Sequence, residues 1–330
     1  FNQVLLKKML INSPFRYLLL FNAICFLSTY WSSNVFLTLY RSIECLVFLL
    51  LITITIKKLI QKFSYTLVIK WTIWFAYWNL FVGILFRLKL VGLSSISIPF
   101  LPSRLFFPLF FFIIIMMGNK LLPKVITGFL VLIGFSNKIF IGVALGFLSF
   151  ISGTIRGKII ILILLSVISL FIMYLGIDDL LLNTLFYGRD SVGLEDASGR
   201  KQVWTYLLNK GYESPYFGYG FVTGELDLLN SSIWKGAINA HNSIISAFVN
   251  VGVLGVVFLV LFFISVIRTT YTLQVKNKKT KVAFLGSILL VIVVSMSAPG
   301  IGGRVYGSWI PSIFIISLII GSKKYYNYIP

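Results

Sequence analysis

Long apolar runs recur along almost the whole chain, and most approach the length that crosses a lipid bilayer. A spanning helix needs roughly 20 apolar residues. Lipid offers no hydrogen-bond partner to a peptide group, so each run must be a helix that pairs its own backbone groups. The runs lie at residues 15–33, 36–56, 66–86, 103–118, 124–137, 139–155, 159–177, 243–267, 282–299 and 308–322. We therefore predict an all-α polytopic membrane bundle of about ten transmembrane helices.

The composition agrees with a membrane protein. Of the 330 residues, 58% are hydrophobic and 12% are charged, whereas soluble domains are about half apolar and about a quarter charged. The formal net charge of +20 would suggest a nucleic-acid partner for a soluble chain. In a membrane protein, Lys and Arg are better explained as cytoplasmic anchors of the helices. We therefore expect the lipid bilayer, and no nucleic acid, as a partner.

Basic residues alternate between successive connections, which predicts the orientation of the helices. The alternation places both termini in the cytoplasm and residues 178–242 outside. Residues 1–177 and 243–330 then form the N-terminal and C-terminal groups of transmembrane helices. The polar break around Lys138 is short, so a hairpin that dips into the membrane and returns fits residues 124–155 as well. We expect no cleavable signal peptide, because the first apolar run lacks a small-residue cleavage site.

Residues 178–242 form the only long polar stretch and hold eight of the nine acidic residues: Asp178, Asp179, Asp190, Glu195, Asp196, Glu213, Glu225 and Asp227. Trp204, Trp234 and several Tyr and Gly residues make this stretch too rich in packing residues for a linker. We therefore predict a large extracytoplasmic loop that contains short helices and holds the functional site.

A short helix is predicted after Ser198-Gly199-Arg200. Val203, Trp204, Leu207 and Leu208 follow at the spacing of one helical face. Arg200 lies in the first turn, where free backbone amides and a guanidinium together suit a phosphate. The alternative is that Arg200 pairs with Glu195 or Asp196 on the surface.

The segment Pro215-Tyr216-Phe217-Gly218-Tyr219-Gly220 predicts a tight turn. Two glycines after a proline allow close backbone approach, either to a ligand or to the chain itself.

His241 is the only histidine, and with Asn242 it stands before the apolar run that starts at residue 243. An imidazole at the outer mouth of a spanning helix is suited to take a proton near neutral pH. The alternative is that His241 and Asn242 are a polar pair that caps the helix.

We expect no metal ion and no cofactor. Glu225 and Asp227 are a carboxylate pair, but two carboxylates without further ligands are a weak indication of a metal site.

The order of these motifs resembles the O-antigen ligase and polymerase superfamily over roughly residues 125–267. The resemblance consists of Ser198-Gly199-Arg200, Trp204, Pro215, Gly218-x-Gly220, His241-Asn242 and Gly252-x-x-Gly255. Members of that superfamily are polytopic membrane glycosyltransferases that use undecaprenyl diphosphate-linked glycans.

The resemblance implies a metal-independent, inverting glycosyltransferase in the bacterial cytoplasmic (inner) membrane. It implies catalytic roles for His241 and Arg200, and substrate-binding roles for Lys138, Trp204, Gly218, Gly220 and Asn242. Lys138 stands, after an inserted Asn137, where the family has a Ser-Arg pair. The implied partners are an undecaprenyl diphosphate-linked oligosaccharide donor, a glycan acceptor and other polysaccharide-assembly proteins. The expected function is polymerisation of polysaccharide (O-antigen or capsule) repeat units, with O-antigen ligase as the alternative.

Two other classes stay open. A lipid-linked glycan flippase or other transporter would have an internal repeat or broken helices within the membrane, and we expect neither from the sequence. A membrane acyltransferase that uses His241 would need an acyl-donor site instead of outer arginine and glycine motifs.

Overall fold

The computed structural model describes residues 13–65, 67–72, 74, 200–232, 239–273, 278–296, 300–305 and 309–321. Every regular element in these ranges is helical, as predicted for an all-α protein. A short 3-10 helix, Ser28–Tyr30, follows the first α-helix. The α-helices are α1 (Phe15–Leu27), α2 (Val35–Phe63), α3 (Arg200–Glu213), α4 (Thr223–Asn230), α5 (Ser243–Tyr271), α6 (Lys278–Ser295) and α7 (Trp309–Gly321).

The first two and last three predicted apolar runs each form a helix: α1, α2, α5, α6 and α7. By length and apolar composition alone, α5 is the one helix in the described part of the chain that is long and apolar enough to cross a membrane. The other predicted runs, from 66–86 to 159–177, lie mostly or wholly outside the described residues. The total of about ten helices therefore stays a prediction.

Helix α5 is the centre of the described bundle. It packs against α1, α3 and α6, while α7 packs against α2. Phe262 of α5 is fully buried and lies 6.2 Å from the ring of Phe15 in α1. By contrast, Val253, Leu254 and Val257 lie on an exposed face of α5. An apolar residue on an exposed helix face is expected where the surrounding medium is lipid.

Helix α5 is broken at Gly252, whose backbone adopts φ 73° and ψ −168°. The turn at residues 214–222 fills the break with its own backbone groups. The N–H of Tyr219 donates to Val249 O at 2.9 Å, and the N–H of Val253 donates to Pro215 O at 2.8 Å. In an unbroken helix the Val253 N–H would bond Val249 O. The loop thus replaces a helical hydrogen bond with two bonds of its own.

The same turn is also tied to the junction between α1 and α2. The Oγ of Ser28 accepts the N–H of Phe221 at 2.9 Å, and Thr38 Oγ1 donates to Phe221 O at 3.1 Å. Trp31 Nε1 donates to Phe217 O at 3.0 Å. Contacts from both ends of the described chain therefore hold the loop in one position above the bundle.

Candidate functional site

Helix α3 is described from Arg200 to Glu213 and packs its apolar face against α5. Val203 and Leu207 are buried in a small core with Leu229, Ala240, Ile245 and Val249. Trp204 lies at the edge of this core, and its Nε1 donates to Ala240 O at 2.6 Å. The tryptophan thereby holds one side of the segment that leads to His241.

Glu225 of α4 holds the other side of that segment. Its Oε1 accepts the backbone N–H of Ala240, and also the hydroxyl of Ser246 at 2.9 Å. Its Oε2 accepts the amide of Asn250 at 3.5 Å, and Asn250 Oδ1 accepts the N–H of Glu225 at 2.9 Å. Ala240 is thus bound through its carbonyl by Trp204 and through its N–H by Glu225.

Glu225 is 5% exposed, and this burial raises the pKa of its carboxyl above the ordinary value. The hydrogen bonds from Ala240, Ser246 and Asn250 act in the opposite direction, as does the positive charge of Arg304. Burial wins because removal from water penalises the ionised form more than these contacts stabilise it.

His241 occupies a left-handed backbone conformation, with φ 54°. Its N–H donates to Asn239 Oδ1 at 3.1 Å. The next residue, Asn242, is the N-cap of α5, and its Oδ1 accepts the N–H groups of Ile244 and Ile245 at 3.0 and 3.2 Å. Such bonds are what a side-chain cap supplies to the free amides of a helix start. The half-buried imidazole is therefore carried by a backbone that is fixed on both sides.

A narrow cleft of about 10 Å³, roughly the space of one water molecule, lies beside Glu225 and is partly open to solvent. We refer to it as the Glu225 cleft. It lies between α4, the start of α5 and the turn at residues 300–304, and besides two glycines it is lined by Val222, Glu225, Asn239, Ser243, Ser246 and Arg304.

The two predicted glycines of the loop pack against the protein itself. Gly218 has φ 65°, and a Cβ there would lie 2.6 Å from Val249 O. Gly220 has φ 107°, and a Cβ there would lie 2.7 Å from the side chain of Ser32. Both glycines therefore allow the turn to approach α5 and the α1–α2 junction closely.

The structure describes some, but not all, of the remaining predicted site residues. The backbone of Arg200 forms the first residue of α3. Asn242 caps α5, and Trp204 contacts the segment before His241. Lys138 and Ser198 lie outside the described residues. The structure therefore brings Trp204, His241 and Asn242 to one region, and their functional roles stay predictions.

Glu225 and Asp227 do not converge. Glu225 is buried toward α5, whereas Asp227 is exposed and accepts a hydrogen bond from Ser33 Oγ. Residues two apart on a helix do not face each other. Among the described residues, no group of three or more His, Cys, Asp or Glu side chains is placed to hold a metal ion.

The sequence model of the O-antigen ligase family matches residues 122–260. That segment is of the O-antigen ligase family. The match spans α3, α4, His241 and the broken part of α5, and it confirms the predicted resemblance to the O-antigen ligase and polymerase superfamily. No curated protein shows significant sequence similarity to the chain.

Proteins of the O-antigen ligase family are integral membrane proteins that act in O-antigen and polysaccharide assembly as ligases or polymerases. Residues 122–260 are therefore similar to membrane ligases and polymerases of this type. The described part of the loop and His241 lie inside the O-antigen ligase segment, whereas the turn at residues 300–304 lies outside it.

Three residues of the site escaped the sequence reasoning. The sequence indicates Glu225 only as a weak candidate metal ligand, whereas in the structure it accepts the N–H of Ala240. Asn239 carries a hydrogen bond to His241, and the signal for it was its place in the polar segment Asn239–Asn242. Arg304 ends the glycine-rich stretch Gly300-Ile301-Gly302-Gly303-Arg304, which was the available signal for a close turn near the site.

Proposed function

We propose that the protein is a polysaccharide repeat-unit polymerase. It transfers a glycan from undecaprenyl diphosphate to a sugar hydroxyl at the outer face of the bacterial cytoplasmic membrane. The observation that carries this proposal is His241, which is held in a left-handed backbone conformation at the start of α5 within the O-antigen ligase segment. A histidine whose backbone is held on both sides suits proton abstraction from a hydroxyl.

In the proposed reaction the acceptor oxygen attacks C1 of the donor sugar in a single, inverting displacement. The C1–O bond to the diphosphate breaks, and the bond electrons leave with undecaprenyl diphosphate. His241 takes the proton of the acceptor hydroxyl and later releases it to water. Arg200, at the start of α3, and Lys138 stabilise the negative charge that develops on the diphosphate, so the step needs no metal ion.

The proposed polymerase activity is tested by gel analysis of the lipid-linked glycan in cells that lack this protein. Single repeat units on the lipid are expected, together with recovery of long chains when the gene is restored. Full-length chains that stay on the lipid would instead show an O-antigen ligase. Absence of the glycan from the outer face would show a flippase.

A flippase is the alternative to compare, because the sequence indicates no broken helix within the membrane and α5 is broken at Gly252. In transporters, the groups released by a broken helix line the substrate site. Here Val249 O and the N–H of Val253 are bonded by Tyr219 and Pro215 of the loop. The break therefore serves to dock the loop, which favours an enzyme whose loop forms the site.

A further inference from the structure

Within the described residues, the walls of the Glu225 cleft include two buried polar atoms of uncharged side chains that make no hydrogen bond. They are Nδ2 of Asn239 and Oγ of Ser243, on side chains that are 7% and 1% exposed. Folded proteins rarely leave such groups without a partner, and the exceptions call for a functional explanation. Both residues line the same cleft. Two unused hydrogen-bonding groups in one polar cleft indicate a place for a ligand.

The orientation of Asn239 is determined by its neighbour. Its Oδ1 accepts the N–H of His241 at 3.1 Å, and only an oxygen can accept from that donor. The other atom of the amide is therefore the nitrogen, which offers N–H donors. The same contact makes Asn239 part of the segment that carries His241.

Space in front of Ser243 is kept open by a glycine. A Cβ at Gly300 would lie 3.0 Å from Ser243 Oγ and 2.8 Å from Ser295 Oγ. Any side chain at this position would crowd the serine hydroxyl. The turn at residues 300–304 thus forms a wall of the cleft without filling it.

The charges around the cleft favour a neutral ligand. Glu225 and Arg304 bring opposite charges to its walls, and the Glu225 carboxylate already accepts bonds from Ala240, Ser246 and Asn250. A phosphate would be attracted by Arg304 but repelled by Glu225 whenever that carboxyl is ionised, so the two charges oppose each other. A sugar hydroxyl both donates and accepts, so it suits an amide N–H next to a serine hydroxyl.

We propose that the Glu225 cleft is a subsite for sugar hydroxyl groups, bound by Asn239 Nδ2 and Ser243 Oγ. The inference rests on the proposed glycan transfer, and it assigns the cleft to the glycan acceptor. Because Asn239 also accepts the backbone N–H of His241, a sugar bound there contacts a residue that holds the backbone of the proposed base. Ser243→Ala removes one contact while Asn242 still caps α5.

The test measures binding to the full chain in detergent by titration calorimetry. One probe is the oligosaccharide repeat unit released from its lipid diphosphate, and the other is inorganic diphosphate. Ser243→Ala is expected to weaken oligosaccharide binding about three- to tenfold, which is the effect of losing one neutral hydrogen bond. Diphosphate binding should not change. Asn239→Asp keeps the oxygen that accepts from His241 but loses the N–H donors, and should weaken oligosaccharide binding as well.

The matched control is Ser317→Ala. Ser317 Oγ is likewise buried without a hydrogen bond, but it belongs to α7 and does not line the cleft. Its substitution should leave both affinities unchanged. Loss of diphosphate binding in Ser243→Ala, with oligosaccharide binding intact, would show an anion site and overturn the proposal. Unchanged binding of both probes would show that the cleft holds only water, which also overturns it. If the wild type itself bound no oligosaccharide, the proposed function would fail together with the subsite.

Discussion

His241 is a half-buried residue with a constrained backbone. Left-handed backbone is uncommon for residues other than glycine, and Asn, Asp and His are the side chains most often found there. In this protein it is supported by the contacts of Asn239, Ala240 and Asn242. The imidazole is therefore placed by neighbours that can be left intact while the side chain is changed.

Replacing His241 with Asn separates catalysis from structure. Asn tolerates the left-handed backbone but is no base, so we expect normal expression and an unchanged unfolding temperature. The rate of chain polymerisation should fall by about 100- to 10,000-fold, the usual contribution of a general base. The rate is measured with purified enzyme and lipid-linked repeat units.

Ser64→Asn is the control, because Ser64 also has positive φ, at 72°, and follows the end of α2 away from the loop. It should keep the wild-type rate. A wild-type rate in His241→Asn would instead return His241 to a purely structural role at the start of α5.

The buried carboxyl of Glu225 leads to a second prediction, which concerns how stability depends on pH. Because burial raises the pKa of its carboxyl, the folded protein holds this proton more tightly than the unfolded chain. The resulting stability is fully present below the ordinary pKa, near 4.5, and is lost as pH rises through the folded value. Glu225→Gln carries no such proton. The unfolding temperature of the wild type should therefore fall relative to Glu225→Gln as pH rises from about 4.5 to about 7.5.

Glu213→Gln serves as the control for this measurement. Glu213 is an exposed carboxylate paired with Lys210 at 2.8 Å, so its replacement should not reproduce the dependence. A difference between wild type and Glu225→Gln that is constant with pH would contradict the inferred burial effect. Arg304 is the charged side chain that acts on Glu225 from the turn at residues 300–304, and it limits the size of the slope.

Among the helices, α5 carries most of the architecture of the site. Its first turn is capped by Asn242, its next two turns supply Ser246 and Asn250 to Glu225, and its break at Gly252 receives the loop. A straight α5 would keep Val249 O bonded within the helix. The break is therefore what lets this candidate membrane span also serve as the base of the loop.

Gly252→Ala should prevent the turn at residues 214–222 from packing into the break of α5. The added Cβ would lie 2.2 Å from Tyr216 O, and the left-handed backbone costs an alanine about 1 kcal/mol or more. We expect a lower unfolding temperature and rapid proteolysis within residues 200–232, while the protein still inserts in the membrane. Limited proteolysis of membrane vesicles measures the effect.

Gly321→Ala, at the end of α7, is the matched control for Gly252→Ala. Its new Cβ would meet only the far end of the Ile60 side chain, at 3.0 Å, which can move aside. It should show near-normal protease resistance. If the loop of Gly252→Ala resisted the protease as well as the loop of Gly321→Ala, the turn at residues 214–222 would not depend on the break in α5.

For the molecule as a whole, orientation in the membrane decides which substrates reach the loop. The distribution of basic residues predicts that residues 178–242 face outward. A cysteine at Ser231, which is exposed at the end of α4, should react with an impermeant thiol reagent on intact cells. A cysteine at Asn277, outside the described residues, should react only after permeabilisation.

The native chain is a suitable background for this labelling. Cys25 and Cys45, the two cysteines of the sequence, are both buried and should contribute little signal. The reverse labelling pattern would place the loop in the cytoplasm. It would thereby separate the loop from the glycan on the outer face and contradict the proposed polymerase.

The positions of helices were readable from the sequence because the cause is local. An apolar run of sufficient length has to pair its own backbone groups in lipid, and the run at 243–267 is accordingly the helix Ser243–Tyr271. The face of α3 followed from the spacing of Val203 and Leu207, which are buried as expected. The identity of the segment followed from the order of short motifs, and the family match agrees with it.

The hydrogen bonds of the site were not readable in this way. The contact of Glu225 with Ala240, the break in α5 and the approach of Arg304 to the cleft join segments that are distant in sequence. No periodicity reports which buried donor meets which acceptor, because that depends on how the loop and helices approach each other in space. Glu225 therefore looked like half of a carboxylate pair in the sequence, and only the folded chain shows it holding the backbone beside His241.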